Sequence, residues 1–169
     1  RLLSGYLVPS SGIIYMNESV MKRSESGYYK NYTGLVMQDD TLFEGSLLEN
    51  LTFNNPKVSN EDIKWALDAV GLTVIVKRLP NGLDTIINSD GRHLTRSVIQ
   101  KILIARAIIS RPKVLFLEEP TISMDPSASR QIIDFLVSPE NSWTIIVSSI
   151  DEYWKKACNR EIDMNNGEI

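Results

Sequence analysis

Cysteine and histidine are almost missing: 169 residues contain one of each, Cys158 and His93. A lone cysteine closes no internal disulfide and builds no zinc cluster, which fits a reducing compartment. His93 has no Cys or Asp partner at ligand spacing, so a Ser/His/Asp triad has little support. Positive charge is scarce too, with 18 Lys+Arg against 21 Asp+Glu and a formal net charge of -3. Such a balance supplies no field to hold a phosphate backbone or an anionic membrane, so nucleic acid is not an expected partner. Apolar runs such as Ile145 to Val147 and Val114 to Leu117 fall far short of the roughly 20 residues that span a bilayer. The phosphate-cradling pattern G-x-x-x-x-G-K-[ST] occurs nowhere in the chain. The chain opens at Arg1 in mid-pattern, without an initiating Met or a signal peptide, and reads as a fragment of a longer polypeptide.

What is present is an ordinary globular composition, with 43% hydrophobic residues in a length that suits one domain or most of a larger one. Gly12–Met16 and Gly34–Met37 are strand-like runs, separated by a polar stretch from Lys22 to Asn31. Helical signals dominate from Ser46 to about Arg78: Ser46 and Glu49 form a capping-box pattern, and Asn60 opens a window with Ile63, Ala66, Leu67 and Val70 at helical spacing. Gly71 ends that helix. Thr95 to Ser110 is apolar around most of its circumference and predicts a buried helix, stopped by Arg111-Pro112. Val114–Leu117 then predicts a buried strand ending in Glu118-Glu119, Pro126 opens a helix to about Leu136, and Thr144–Val147 predicts a second buried strand. Continuous apolar strands alternating with helices imply a parallel sheet covered by helices, an α/β layer architecture whose chemistry gathers at the carboxyl ends of the strands.

Two readings of Glu118-Glu119 stand at this point. At a strand end, one carboxylate can hold Mg²⁺ while its neighbour orients water; alternatively the pair is a solvated acidic turn. Ser148-Ser149, at the end of the other strand, reads as a helix cap. Trp65, Trp143 and Trp154 read as packing residues, and Cys158 as a small buried hydrophobe.

The order of these segments resembles the nucleotide-binding domain of ATP-binding cassette (ABC) transporters, from just after the Walker A helix almost to the end. Ser11-Gly12-Ile13-Ile14 after Pro9 resembles the turn into a family strand, and Val36-Met37-Gln38-Asp39 resembles the Q-loop. Leu42-Phe43-Glu44-Gly45-Ser46 through Glu49-Asn50-Leu51 looks like the exporter branch, a run that helical patterning alone rarely produces. Leu94–Ala107 is similar to the signature motif and its helix, Val114–Thr121 to Walker B, Ser123-Met124-Asp125 to the D-loop and Thr144–Ser149 to the switch strand. Asn159–Ile162 and Asn166–Ile169 resemble a closing strand pair.

The resemblance implies a P-loop NTPase-type (RecA-like) parallel core over 1–45 and 94–169, an inserted helical subdomain over about 46–93, and an N-terminal part outside this sequence. It implies Mg²⁺ near Gln38 and Glu118, Glu119 as the general base, and a switch-histidine position at Ser149. Thr95, Arg96 and Ser97 would face the ATP of a partner domain, with Asp125 at the contact. A membrane-spanning transporter domain and a second nucleotide-binding domain, identical or different, are the implied partners, at the cytoplasmic face of a membrane. A chromosome-maintenance head is set aside, because only residues 39–93 separate the two motifs where a coiled coil would be inserted.

The departures all affect catalysis. Glu118 stands in place of the Walker B aspartate, Ser149 in place of histidine, and Arg96 and Ser97 in place of the two signature glycines. Arg96 either obstructs the approach of phosphate or offers it a guanidinium. A catalytically inactive regulatory or scaffold module is therefore the second expectation beside an exporter ATPase. Without a phosphate loop, residues 1–169 in isolation are expected to bind ATP poorly; calorimetry detecting micromolar binding to this segment alone would contradict that.

Overall fold

The computed structural model describes residues 1–16, 18–20, 32–88 and 94–164. The Lys22–Asn31 stretch, His93 and Asn166–Ile169 lie outside the described residues. Tyr15–Met16 (β1) and Ser19–Val20 (β2) form a short antiparallel pair, followed by Thr33–Val36 (β3) and Gly45–Ser46 (β4). Three helices follow, Leu47–Thr52 (α1), Asn60–Ala69 (α2) and Thr73–Arg78 (α3). Ile86–Ile87 (β5) then returns to pair antiparallel with β4. Arg96–Ile108 (α4), Val114–Glu118 (β6), Pro126–Val137 (α5), Thr144–Ser148 (β7) and Glu152–Ala157 (α6) complete the order.

The main sheet has the order β3-β6-β7, with both pairings parallel, so the expected α/β architecture is present. β6 lies in the middle, which explains its uninterrupted apolar run: Leu115, Phe116 and Leu117 are all buried. α4 packs against β3, α1 and α2, and its Ile102, Ile104 and Ile108 are at most 1% exposed. Gly34 makes the closest approach possible, since a Cβ there would stand 2.3 Å from the Ala107 carbonyl oxygen. Any larger residue would push the sheet away from α4. α5 packs against α6 and buries Ile132, Ile133 and Leu136.

Two strand expectations are corrected. Thr144–Val147 reads as fully buried, but β7 alternates between exposed and half-buried, and Ile146 is 41% exposed. Among the described residues β7 pairs only with β6, which leaves its other side open within residues 1–169. Asn159–Ile162 reads as a strand, yet residues 160–164 have no regular structure. Its polar residues offer no face to bury, and Glu161 turns back to pair with Lys155 of α6 at 2.7 Å.

The aromatic residues pack as expected. The Trp65 ring lies 5.9 Å from Phe135 and 6.1 Å from Trp143, with the Arg111 guanidinium 3.4 Å above it. Trp154 is 2% exposed, while Cys158 is only half-buried.

Helix starts follow local chemistry. Ser46 and Glu49 make the capping box at α1, with Ser46 N donating to Glu49 Oε2 at 2.7 Å. α2 starts on a second box that the sequence places one residue late: Ser59, not Asn60, is the cap, and it pairs with Asp62. α5 is capped by Asp125, which accepts from Ser127 N and Ala128 N, with Pro126 in the first turn. These bonds hold the carboxyls below their ordinary values of 4.5 for Glu49 and 3.8 for Asp62 and Asp125, through Ser46 N–H, the Ser59 hydroxyl and Ala128 N–H respectively. Because the folded values are depressed, the stabilisation is complete above the ordinary values and is lost as pH falls through the folded ones. The urea midpoint, followed by circular dichroism, is therefore expected to lose this contribution below about pH 4.5. A Ser46→Ala/Ser59→Ala variant should lose less on the same acidification.

Candidate functional site

Strand register decides which side chains meet. Leu117 lies opposite Val36 on one side and Val147 on the other, and Glu118 lies opposite Ser148. Parallel strands end at one edge, so Gln38, Glu118, Glu119 and Ser149 leave the sheet together, where open α/β sheets bind ligands.

Glu119 takes a left-handed backbone, φ 46°, which costs a non-glycine residue about 1–2 kcal/mol. Its N–H donates to the Ser148 carbonyl at 2.9 Å, and its own carbonyl accepts from Gln100 Nε2 at 2.8 Å. Its carboxylate accepts from Ser149 Oγ at 2.9 Å through Oε2 and from Ile150 N at 2.8 Å through Oε1. Ser149 Oγ in turn accepts from Asp151 N at 3.1 Å. An anchored carboxylate with lone pairs to spare can orient a water molecule and take its proton. Ser149 is therefore no helix cap: Asp151 caps α6, accepting from Tyr153 N at 2.9 Å.

Glu118 is held differently. Arg1 Nη2 donates to Glu118 Oε2 at 3.1 Å and to Asp39 Oδ1 at 3.0 Å. These partners raise the guanidinium further above its ordinary value, the Glu118 hydrogen bond first and the attraction of Asp39 next. Gln38 is exposed beside them. Among the described residues no group of three or more His, Cys, Asp or Glu side chains could hold a metal ion. Glu118 nevertheless faces a cation, and it offers, with the amide oxygen of Gln38, hard oxygen donors. Carboxylate and amide oxygens are of the kind that ligate Mg²⁺ together with phosphate and water.

Thr95 caps α4, its hydroxyl accepting from Val98 N at 3.4 Å, and Arg96 and Ser97 enter the first helical turn with Arg96 exposed. Asp125 is exposed and occupied in capping α5. Among the described residues, no hydrogen bond or ion pair ties Thr95, Arg96, Ser97 or Asp125 directly to Glu119. A groove of about 450 Å³ runs beside this edge, lined by Glu119, Thr121, Met124, Arg130, Asp151 and Tyr153 among others.

Sequence reasoning missed two polar side chains. Gln100 reaches from α4 to Glu119. Asn50 is fully buried, accepts from Phe43 N at 3.1 Å and from Arg106 Nη2 at 3.1 Å, and donates to the Phe43 carbonyl at 2.9 Å. Arg106 Nε also donates to the Asn50 carbonyl at 2.6 Å, and burial pushes its guanidinium below its ordinary value against the attraction of Asp40. The pair fastens the segment after β3 to α4. One signal was readable: Asn50 lies three residues after Leu47, on the same buried face of α1. Asn50→Ala removes the acceptor of Arg106 Nη2 and both side-chain bonds to the Phe43 backbone, while the Arg106 Nε bond to the backbone carbonyl of residue 50 remains, at an expected cost of about 2 kcal/mol in urea unfolding. A loss below about 1 kcal/mol would show that water replaces these bonds.

Residues 1–122 match the family model described as ABC transporter. The glutathione/L-cysteine transport system ATP-binding/permease protein CydC of Bacillus subtilis is 26% identical over 168 residues, covering 99% of this chain and 30% of that protein. The leukotoxin translocation ATP-binding protein LktB of Mannheimia glucosida is 27% identical over 169 residues, covering 100% of this chain and 24% of that protein. A solved bacterial Atm1-family ABC exporter with ATP bound superposes with a TM-score of 0.80 at 23% identity, over 88% of this chain and 26% of that one. The last likeness shows the fold alone: the α/β arrangement of this chain is shared with part of that exporter. The chain spans 24–30% of the length of the two curated relatives.

Proposed function

This chain belongs to the ABC transporter family, and we propose that it is the ATP-binding part of an exporter whose ATP hydrolysis is impaired. In this reading ATP binding and hydrolysis drive transport across a membrane, and the chain works at the cytoplasmic face beside a membrane-spanning domain and a second ATP-binding domain. Relatives named as translocation ATP-binding proteins support that role. No helix among the described residues is long and apolar enough to cross a membrane. In this reading the helical subdomain is assigned to about 46–93, and the core to 1–45 and 94–169.

The observation that carries the reading is Glu119, anchored at the end of the central strand with both carboxylate oxygens accepting from the loop after β7. Glu119 orients the attacking water and accepts its proton. Gln38 and Glu118 hold Mg²⁺, which when bound neutralises charge on the phosphates. Glu118 would have to exchange Arg1 for the metal. Thr95, Arg96 and Ser97, at the start of α4, meet the ATP held by the partner domain, and Asp125 lies at the contact between the two.

Impairment follows from hydrogen-bond capacity. A serine hydroxyl has one proton, and that of Ser149 is directed at Glu119, so none remains to donate to phosphate. Side chains at Arg96 and Ser97 stand where glycines would let backbone N–H groups approach phosphate closely. These changes touch both halves of a composite site, so an intact partner would restore neither site fully. The second reading, an inactive regulatory or scaffold module, is favoured by the Arg1 guanidinium on Glu118.

Steady-state ATPase of the intact protein should be slow, and an Arg96→Gly/Ser97→Gly/Ser149→His variant should run at least about tenfold faster, within the range that positioned acid–base groups contribute. A robust rate in the unreverted protein would overturn the impairment. Nucleotide binding without turnover in both proteins would favour the scaffold reading.

A further inference from the structure

We infer that Gln100 is the positioning residue for Glu119, tying α4 to the carboxylate through the Glu119 backbone. The inference rests on the reading of Glu119 as the water-orienting base.

Gln100 uses both ends of its side-chain amide. Nε2 donates to the Glu119 carbonyl at 2.8 Å, and Oε1 accepts from Ser123 N at 3.0 Å. Turning the amide over would set nitrogen against the Ser123 N–H and oxygen against the Glu119 carbonyl, losing both bonds, so only one orientation serves. The amide thus closes the loop between the end of β6 and the start of α5 from the side of α4. Within that loop Ile122 N also reaches the Glu119 carbonyl, but at 3.4 Å. Gln100 is therefore the nearer donor, and the only side chain donating to that carbonyl among the described residues.

The bond bears on Glu119 because its backbone is left-handed, φ 46°. A non-glycine residue stays there only when its surroundings over-determine it. The Ser148 carbonyl, Ser149 hydroxyl and Ile150 N–H all come from the end of β7 and the loop after it. Gln100 holds the residue from the opposite side, and without it the peptide can rotate and swing the carboxylate away from Ile150. Gln100 also lies one helical turn beyond Arg96, on the same side of α4. Displacement of the first turn of α4 by a ligand would be transmitted through this amide to Glu119.

Residue-resolved hydrogen exchange in the intact protein tests the assignment. Gln100→Glu keeps an oxygen for Ser123 N–H but sets a second oxygen against the Glu119 carbonyl. Exchange at the Ile150 amide, which among the described residues bonds only the Glu119 carboxylate, is expected to rise at least about fivefold, the factor that corresponds to a loss of about 1 kcal/mol. Ser123 should stay protected in that variant and lose protection in Gln100→Ala. Ile150 exchange within about twofold of wild type in both variants overturns the inference, as does an equal rise at the core amide of Leu115, which marks general destabilisation. Where ATP turnover is measurable, both variants should lower kcat and leave KM unchanged. Absence of ATP binding would sink the ATPase reading while leaving the exchange result to decide the role of Gln100.

Discussion

A glutamate held with left-handed backbone at the end of a buried strand is the constraint on which the site depends. The conformation is unfavourable for a residue with a Cβ, so each neighbour that fixes it contributes to keeping the carboxylate in place. Parallel pairing of β6 with β7 supplies three of those neighbours, because matched strand ends bring Ser148, Ser149 and Ile150 alongside Glu119. The pairing in turn requires β6 to lie at the centre of the sheet, which its buried Leu115, Phe116 and Leu117 enforce. Gly34 lets α4 approach the sheet closely enough for Gln100 to reach the other side of the residue.

Features set by neighbours in the chain were legible in the sequence. The apolar run of β6, the wide apolar circumference of α4, Pro126 at the start of α5 and the Ser46–Glu49 box all depend on residues at most one or two turns apart. The family likeness, carried by the run from Leu42 to Leu51, also pointed to Gln38, Glu118 and Glu119 at one sheet edge. Features that depend on distant partners were not legible. An apolar run such as Ile145–Val147 is the same whether one or both of its edges are paired, so the run alone does not give the half-exposed pattern of β7 within residues 1–169. Ser149 reads as a helix cap in the sequence, and nothing across the 30 positions to Glu119 signals that its hydroxyl bonds that carboxylate instead. Asn50 meets Arg106 across 56 positions, and Arg1 meets Glu118 across 117, where spacing rules have no force.

The two adjacent glutamates sit in different environments. Glu118 ends β6 facing a guanidinium from a distant segment, so its charge is matched by a full positive charge, moderated by solvent because both side chains are about one-third exposed. Among the described residues the Glu119 carboxylate is held only by neutral donors, a hydroxyl and a backbone N–H. Neutral hydrogen bonds fix direction without cancelling the net negative charge, so Glu119 remains able to attract the hydrogen of a bound water. In the proposed reading, Glu118 exchanges the Arg1 guanidinium for Mg²⁺. The extra methylene of Glu118 relative to aspartate extends the reach of its carboxylate, and that reach is used to meet Arg1. The same serine that holds Glu119 spends its single proton doing so, which makes orientation of the carboxylate and donation to phosphate competing uses of one hydroxyl. An imidazolium has two N–H groups and escapes that competition. In the proposed reading, serine at position 149 keeps the geometry of the carboxylate and gives up a contact with the nucleotide.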